Sequence, residues 1–140
     1  MSLKCIAISA GAVVLLFVPG AALAAHGKAG LWSSTTTMTM TDVPPQTHSA
    51  TFCMTAAQVN SDTPVSQNPD CTYINVKVSG HTMSADMVCK GKFNATGHFS
   101  STYDSDTHYT ARMSMVTEGV TMNNAVEGRW VKADCTGAEH

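Results

Sequence analysis

The clearest folding signal in this chain is the segment TYINVKVSGHTMSADMVC, residues 72–89. Apolar and polar residues alternate on both sides of Gly80-His81, which predicts a two-stranded antiparallel hairpin. Glycine at the first loop position suits a two-residue type II′ turn, with Ser79 opposite Thr82. Both strands then place their apolar residues on one face, so the register is well specified. That face comprises Ile74, Val76, Val78, Met83, Ala85, Met87 and Cys89.

The same period of two continues outside this hairpin. Residues 32–41 (WSSTTTMTMT) predict a strand that Pro44-Pro45 ends, and a short strand is expected over residues 48–53. Thr55 is then an expected N-cap for a helical turn over residues 56–59. Residues 60–70 (NSDTPVSQNPD) are rich in turn formers and predict an exposed loop.

Two further hairpins are predicted towards the end of the chain. One joins residues 93–103 to residues 108–117 through a loop at 104–106. The other turns at Glu118-Gly119. Its register places Met115 opposite Met122 and Ala111 opposite Val126.

Consecutive hairpins with one apolar face cannot remain open in water. We therefore expect a mainly β fold: an antiparallel β-meander curled into a barrel-like or half-barrel sheet, with one short helix and two disulfides. Residues 25–140 are expected to form a single domain whose core covers residues 30–135.

The start of the chain, MSLKCIAISAGAVVLLFVPGAALAA, has the features of a cleavable signal peptide. Lys4 precedes an apolar stretch over residues 5–18. Ala22 and Ala24 supply the small side chains that signal peptidase needs, so cleavage is expected after Ala24, with Ala25 as the alternative. Because the apolar stretch is short for a bilayer, we expect no membrane span after processing and a periplasmic or secreted bacterial protein.

Removal of residues 1–24 changes the charge and the cysteine count. The whole chain has a formal charge of −2; loss of Lys4 leaves seven basic against ten acidic residues, or −3. Without a basic patch, nucleic acid is an unexpected partner. Cys5 is also lost, and the four remaining cysteines predict two disulfides rather than a zinc site, because no C-x-x-C spacing is present.

The predicted hairpin faces bear on how the cysteines pair. Cys71 falls on the polar face and Cys89 on the apolar face, which disfavours a bond between them. Cys53–Cys71 with Cys89–Cys135 fits best, because the first bond closes the helix and loop onto the sheet. The second ties the chain end to the middle strand. Cys53–Cys89 with Cys71–Cys135 passes the same test and stays open.

Methionine is unusually frequent on the predicted inward faces. The simplest explanation is a core packed with methionine, since Leu31 is the only leucine left after processing. A second hypothesis is a pocket of adaptable side chains for a small apolar ligand. Its predicted lining is Met38, Met40, Val76, Met83, Met87, Met113, Met115 and Met122. A third hypothesis is soft-metal binding, of Cu(I) in particular, by Met38 and Met40 with His48 or His26.

No catalytic residue or cofactor is predicted. Acidic residues such as Asp86, Asp104 and Glu118 fall at turns or on the solvent face, where nothing holds them as general bases. No nucleophile elbow or Gly-rich phosphate loop is present. We therefore expect a non-enzymatic exported domain, with a structural or partner-binding envelope protein as an alternative to ligand or copper binding.

Several short motifs occur in a fixed order along the chain: Gly30-Leu31-Trp32, Met38-Thr39-Met40, Pro44-Pro45, Cys53-Met54-Thr55, Asp70-Cys71, Met87-Val88-Cys89, Met113-Ser114-Met115 and Asp134-Cys135. This order of motifs resembles the bacterial DUF3617 family, small exported proteins of unknown function. The resemblance covers nearly all of residues 30–135 and implies no catalytic residues. Near the end, Val131-Lys132-Ala133 stands where the family pattern has a glycine close to the last cysteine.

Overall fold

The structure is a computed structural model that describes residues 27–62, 64, 69–91 and 94–138. The predicted signal peptide, its cleavage site and His26 lie outside these residues. Within the described ranges, none of the helices has the length and hydropathy needed to cross a bilayer.

The described chain forms seven strands and one short helix. They combine into a single antiparallel sheet in the order β2-β1-β7-β6-β5-β4-β3, which is not closed. The mainly β prediction, with its one short helix and two disulfides, is therefore confirmed. The elements are β1 (Gly30–Met40), β2 (Val43–Met54), α1 (Ala56–Val59), β3 (Cys71–Ser79), β4 (Thr82–Cys89), β5 (Ala95–Ser105), β6 (His108–Thr117) and β7 (Val120–Lys132).

Two of the predicted turns are confirmed. Gly80 has φ 58°, the sign that a type II′ turn needs at its first loop position, and Ser79 pairs with Thr82. Glu118-Gly119 is the second turn, with Met115 opposite Met122 as predicted. The loop between β5 and β6 lies at residues 106–107 instead of 104–106, because β5 continues past a register shift to Ser105.

The N-terminal hairpin is longer than predicted. The first strand ends at a turn where Asp42 has φ 62°, and Pro44-Pro45 lies inside β2 instead of ending a strand. Both prolines fall at the register shift between Val43 and Gln46, where neither has a partner residue on β1. β2 is also an edge strand, which is where proline is tolerated in sheets.

The helical turn forms as the sequence predicts. Thr55 Oγ1 accepts a hydrogen bond from the Gln58 backbone N–H at 3.3 Å, and Gln58 Oε1 accepts one from the Thr55 N–H at 2.8 Å. This reciprocal capping box satisfies two N–H groups at the start of α1.

A bulge in β3 changes which of its residues face the core. The register shifts by one residue between Ile74 and Lys77, where Asn75 has φ 53° and donates a hydrogen bond from Nδ2 to Asp86 at 2.8 Å. Before the bulge, Tyr73 pairs with Met87 and turns towards the core, whereas Ile74 is 45% exposed. The predicted inward position of Ile74 was therefore wrong.

The disulfides are Cys71–Cys89, which follows from the bulge, and Cys53–Cys135, which follows from the strand order. The predicted pairs Cys53–Cys71 and Cys89–Cys135 were wrong, and so was the alternative pairing. The one-residue shift brings Cys71 directly opposite Cys89 on the same face. Cys53 reaches Cys135 because β1 lies between β2 and β7, with Leu31 opposite both Cys53 and Lys132.

The core consists of two clusters on the inner face of the sheet. The methionine cluster centres on Met87, Cys89 and Met115, with Met113 and Met122 packed against it. The aromatic cluster contains the fully buried Trp32 with Met54 and Tyr103. The partly buried side chains around this second cluster are Phe52, Val59, Tyr109 and Trp130.

Candidate functional site

A cavity of about 750 Å³ lies on the inner face of the sheet. Its lining comes from β1, β2, β4, β5, β6 and β7, together with Pro64 of the connection after α1. Because strands from nearly the whole width of the sheet line one space, the sheet must curve around it. The cavity is thus the interior of a half-barrel.

The cavity exists because two rows across the inner face contain small side chains. Pairing places Ala50 of β2 opposite Ser34 of β1, which in turn lies opposite Gly128 of β7. In the next row, Ala111 of β6 lies opposite Ser101 of β5. Small side chains at these strand centres leave room between the larger residues at the two ends of the face.

Aromatic and sulfur-containing side chains form the apolar walls. Tyr103 and Tyr109 line one end, and both pack against the fully buried Trp32 outside the lining, whose ring lies 6.1 Å from that of Tyr103 and 5.5 Å from that of Tyr109. Burial raises the pKa of the Tyr109 phenol to about 12, and burial also raises that of Tyr103. Both phenols are therefore neutral at physiological pH. The other apolar residues of the lining are Phe52, Met54, Pro64, Met83, Phe99, Met113 and Val126.

The polar groups of the cavity are uncharged hydroxyls, an amide and an imidazole. Ser34 Oγ donates a hydrogen bond to the Ala50 carbonyl at 3.4 Å, and Ser101 is only 7% exposed. His48 is exposed and lies at the rim. Among the described residues that line the cavity, none is Asp, Glu, Lys or Arg.

Asn124 lines the cavity with a side chain that is incompletely paired. Its Nδ2 lies 3.9 Å from Met113 Sδ, which is a weak acceptor. Its Oδ1 is buried and has no hydrogen-bond partner in the part of the chain that the structure describes. The sequence predicts Met122 to point inward, and Asn124 follows two residues later, at the next inward position of the strand. A polar residue at an inward position was the available signal for this site.

The seven predicted inward methionines lie on the inner face, but only some of them reach the cavity. Met83 and Met113 line it. Met87, Met115 and Met122 pack in the methionine cluster, so that end of the face is a filled core. Met38 lies opposite Asn124 and Met40 opposite Met122 on β1, outside the lining.

Val76 was also predicted to line a pocket. It lies in the bulged part of β3, between Ile74 and Lys77, and is not part of the cavity lining. The aromatic lining residues were missed, because their contribution depends on which strands are neighbours. Phe99, Ser101 and Tyr103 are every second residue of β5 and therefore lie on one face of the strand. That spacing was the signal available for the two aromatic residues.

The described residues of the metal hypothesis, Met38, Met40 and His48, lie on the inner face of the neighbouring strands β1 and β2. His48 lies opposite Thr36, and Met38 lies opposite Gln46, so His48 and Met38 are one row apart on neighbouring strands. In the described ranges there is no group of three or more His, Cys, Asp or Glu side chains that could hold a metal ion.

A second polar cluster lies on the outer face, at the β5–β6 end. His108 Nδ1 lies 2.7 Å from Asp104 Oδ2, and His108 Nε2 lies 3.1 Å from Glu127 Oε1. The hydrogen bond with Asp104, and next that with Glu127, raises the pKa of His108. Arg129 pairs with the same Glu127 oxygen. The cluster links the end of β5, the start of β6 and the middle of β7, away from the cavity.

The comparisons with known proteins identify one family. The model of DUF3617, described as a protein of unknown function, matches residues 27–135. That range covers both core clusters, the cavity and all four disulfide cysteines. No curated protein and no solved structure matches the chain.

Proposed function

This chain belongs to the DUF3617 family, and we propose that its domain binds a neutral, largely apolar small molecule inside the half-barrel. The observation that supports this proposal is the cavity of about 750 Å³ with an aromatic and methionine lining. Ligand sites are typically about 300–1,000 Å³, mostly apolar, with a few placed polar groups. The cavity meets each of these criteria.

The lack of Asp, Glu, Lys and Arg side chains among the described lining residues favours an uncharged ligand. A charged ligand would lose its hydration on entering and would find no opposite charge among the described lining residues. Burying an unpaired charge is strongly unfavourable. The neutral phenols of Tyr103 and Tyr109 add no charge of their own. The proposed ligand is therefore uncharged.

We propose binding in place of catalysis. A general acid or base acts through a titratable group held beside a proton partner. His48 is the cavity's imidazole, and it lies at the exposed rim. The polar groups deeper in the cavity are the Ser101 hydroxyl and the Asn124 amide, and neither group is a general acid or base near neutral pH.

The proposed place of action is the periplasm or the medium outside the cell. The signal-peptide pattern of residues 1–24 and the two disulfides support it. Expression of the full chain in a bacterial host should give a periplasmic product that begins after Ala24 and has no free thiols. A cytosolic product that retains residues 1–24 would contradict this part of the proposal.

Titration of the mature, oxidised protein with Nile red tests the binding proposal. Nile red is uncharged, and its fluorescence rises in an apolar site. The test variant is Ala111→Trp, because Ala111 lines the cavity from β6, the middle strand of the sheet. The matched control is Ala125→Trp on β7, whose exposed side chain lies on the outer face opposite Arg112.

We expect saturable binding to the wild type and on the order of tenfold weaker binding to Ala111→Trp, since the indole occupies ligand space. Ala125→Trp should bind like the wild type. Native mass spectrometry of the purified protein should also reveal any apolar molecule that copurifies. Equal weakening in the two variants, or no saturable binding by the wild type, would reject the cavity as a ligand site.

A further inference from the structure

The structure places one buried hydrogen-bond acceptor inside the cavity. Asn124 lines it from β7, between Met38 of β1 and Met113 of β6 in the same row. The amide nitrogen lies near the Met113 sulfur, while Oδ1 is buried and without a partner among the described residues. No other buried side-chain nitrogen or oxygen atom in the described ranges shares this condition.

An acceptor in this state is unfavourable for the protein alone. A buried carbonyl has lost its hydrogen bonds to water, and it regains them only from a donor inside the protein or in a ligand. Leucine would fill the same position without this cost. The amide is therefore better explained by what enters the cavity than by folding.

The other polar groups of the lining are less suited to this role. The Ser34 hydroxyl already donates to the Ala50 carbonyl. His48 lies at the exposed rim, where water competes for its ring nitrogens. Ser101 is buried and lies in a neighbouring row, opposite Ala111 and Met83, which makes it a suitable control position.

We propose that Asn124 Oδ1 accepts a hydrogen bond from a hydroxyl or N–H group of the bound molecule. The ligand class is thus a neutral apolar molecule with one buried donor, such as a long-chain alcohol, an alkylphenol or a secondary amide. Its donor lies at the methionine end of the cavity, and its apolar body extends towards Phe52 and Tyr103. This inference rests on the proposed binding function.

A matched pair of competing ligands tests whether Asn124 accepts a hydrogen bond from the bound molecule. 4-Hexylphenol and 4-hexylanisole have the same apolar body, and only the phenol has a donor. Each competes with Nile red, which has no donor, for the mature wild type, Asn124→Leu and Ser101→Ala. Asn124→Val repeats the comparison with a strand-forming side chain, and circular dichroism reports whether each variant is folded.

We expect the wild type and Ser101→Ala to prefer the phenol by roughly tenfold, the effect of one buried hydrogen bond. In Asn124→Leu and Asn124→Val the two competitors should differ by no more than about twofold, while Nile red still binds. Three results would overturn the role of Asn124 and leave cavity binding intact. These are the same preference in all variants, a preference for the anisole, and a loss of preference in Ser101→Ala alone. Absence of Nile red binding by the wild type would overturn both proposals.

Discussion

Replacing Gly128 with alanine should destabilise the domain, because the ring of Tyr109 occupies the place of the new methyl group. Gly128 is buried on β7, directly opposite Tyr109 on β6. An added Cβ would overlap Cε1 and Cζ of that ring and lie 2.6 Å from Cδ1. All three atoms belong to one rigid ring, so the whole ring must move.

The size of the effect follows from what Tyr109 contacts. Its ring lies 5.5 Å from that of Trp32 and 5.3 Å from that of Tyr103. Each aromatic pair contributes about 0.5–1.5 kcal/mol, and overpacking of a core costs about 1–3 kcal/mol. Alanine regains about 0.5–1 kcal/mol relative to glycine in a strand. The net loss for Gly128→Ala is therefore about 1–5 kcal/mol of unfolding free energy.

Urea unfolding of the oxidised domain measures this loss, and a second background tests its cause. In Tyr109→Ala the ring is absent, so Gly128→Ala should there be neutral or stabilising by about 0.5–1 kcal/mol. A cost of the same size in both backgrounds would refute the reasoning, because the penalty would not come from the ring. So would a cost of less than about 0.5 kcal/mol in the Tyr109 background.

Two further predictions concern pH and the disulfides. Because the pKa of His108 is raised in the folded state, its stabilisation is complete below the ordinary histidine pKa of 6.5 and is lost as pH rises through the folded value. The fall in Tm between about pH 6 and about pH 9 should thus be smaller in His108→Gln, and an unchanged fall would contradict this. Chain entropy predicts a cost of about 4.5 kcal/mol for losing Cys53–Cys135, which spans 82 residues, against about 3 kcal/mol for Cys71–Cys89, which spans 18. Paired Cys→Ala variants unfolded in urea should show that order, and the reverse order would contradict it.

The sequence predicts hairpins well where the turn chemistry is local. Gly80 and Gly119 each lie in a two-residue loop with positive φ, so the turn and the adjacent register follow from a few neighbouring residues. The capping box of Thr55 and Gln58 is local in the same way. By contrast, the edge position of β2 depends on β1 pairing with β7, almost a hundred residues away, and no local pattern reports it.

The disulfide error has a single physical cause. Simple alternation assumes that successive residues of β3 point to opposite faces of the sheet along its whole length. At Asn75, which has φ 53°, β3 contains one extra residue relative to β4, and the residues before the bulge change face. Asparagine tolerates this conformation better than other residues with a side chain, and its amide is held by Asp86 on β4. Asp86 also pairs with His98 on β5, so the bulge is fixed by residues from two other strands. Such a long-range network is not visible in the spacing of β3 itself.

The cavity, like the disulfides, depends on contacts between distant parts of the chain. Alternation places the methionines inward, but it does not say whether the space between them is filled. At one end Gly97 lets Met115 pack closely, since an added Cβ would lie 3.0 Å from Met115 Cγ, and that end is solid core. At the centre Ala111 lies opposite Ser101 on neighbouring strands, Ser34 lies in the adjacent row, and these small side chains leave the space open. Each of these residues is unremarkable in its own strand; the cavity arises from their alignment, and Asn124 gains its role only because it faces that shared space.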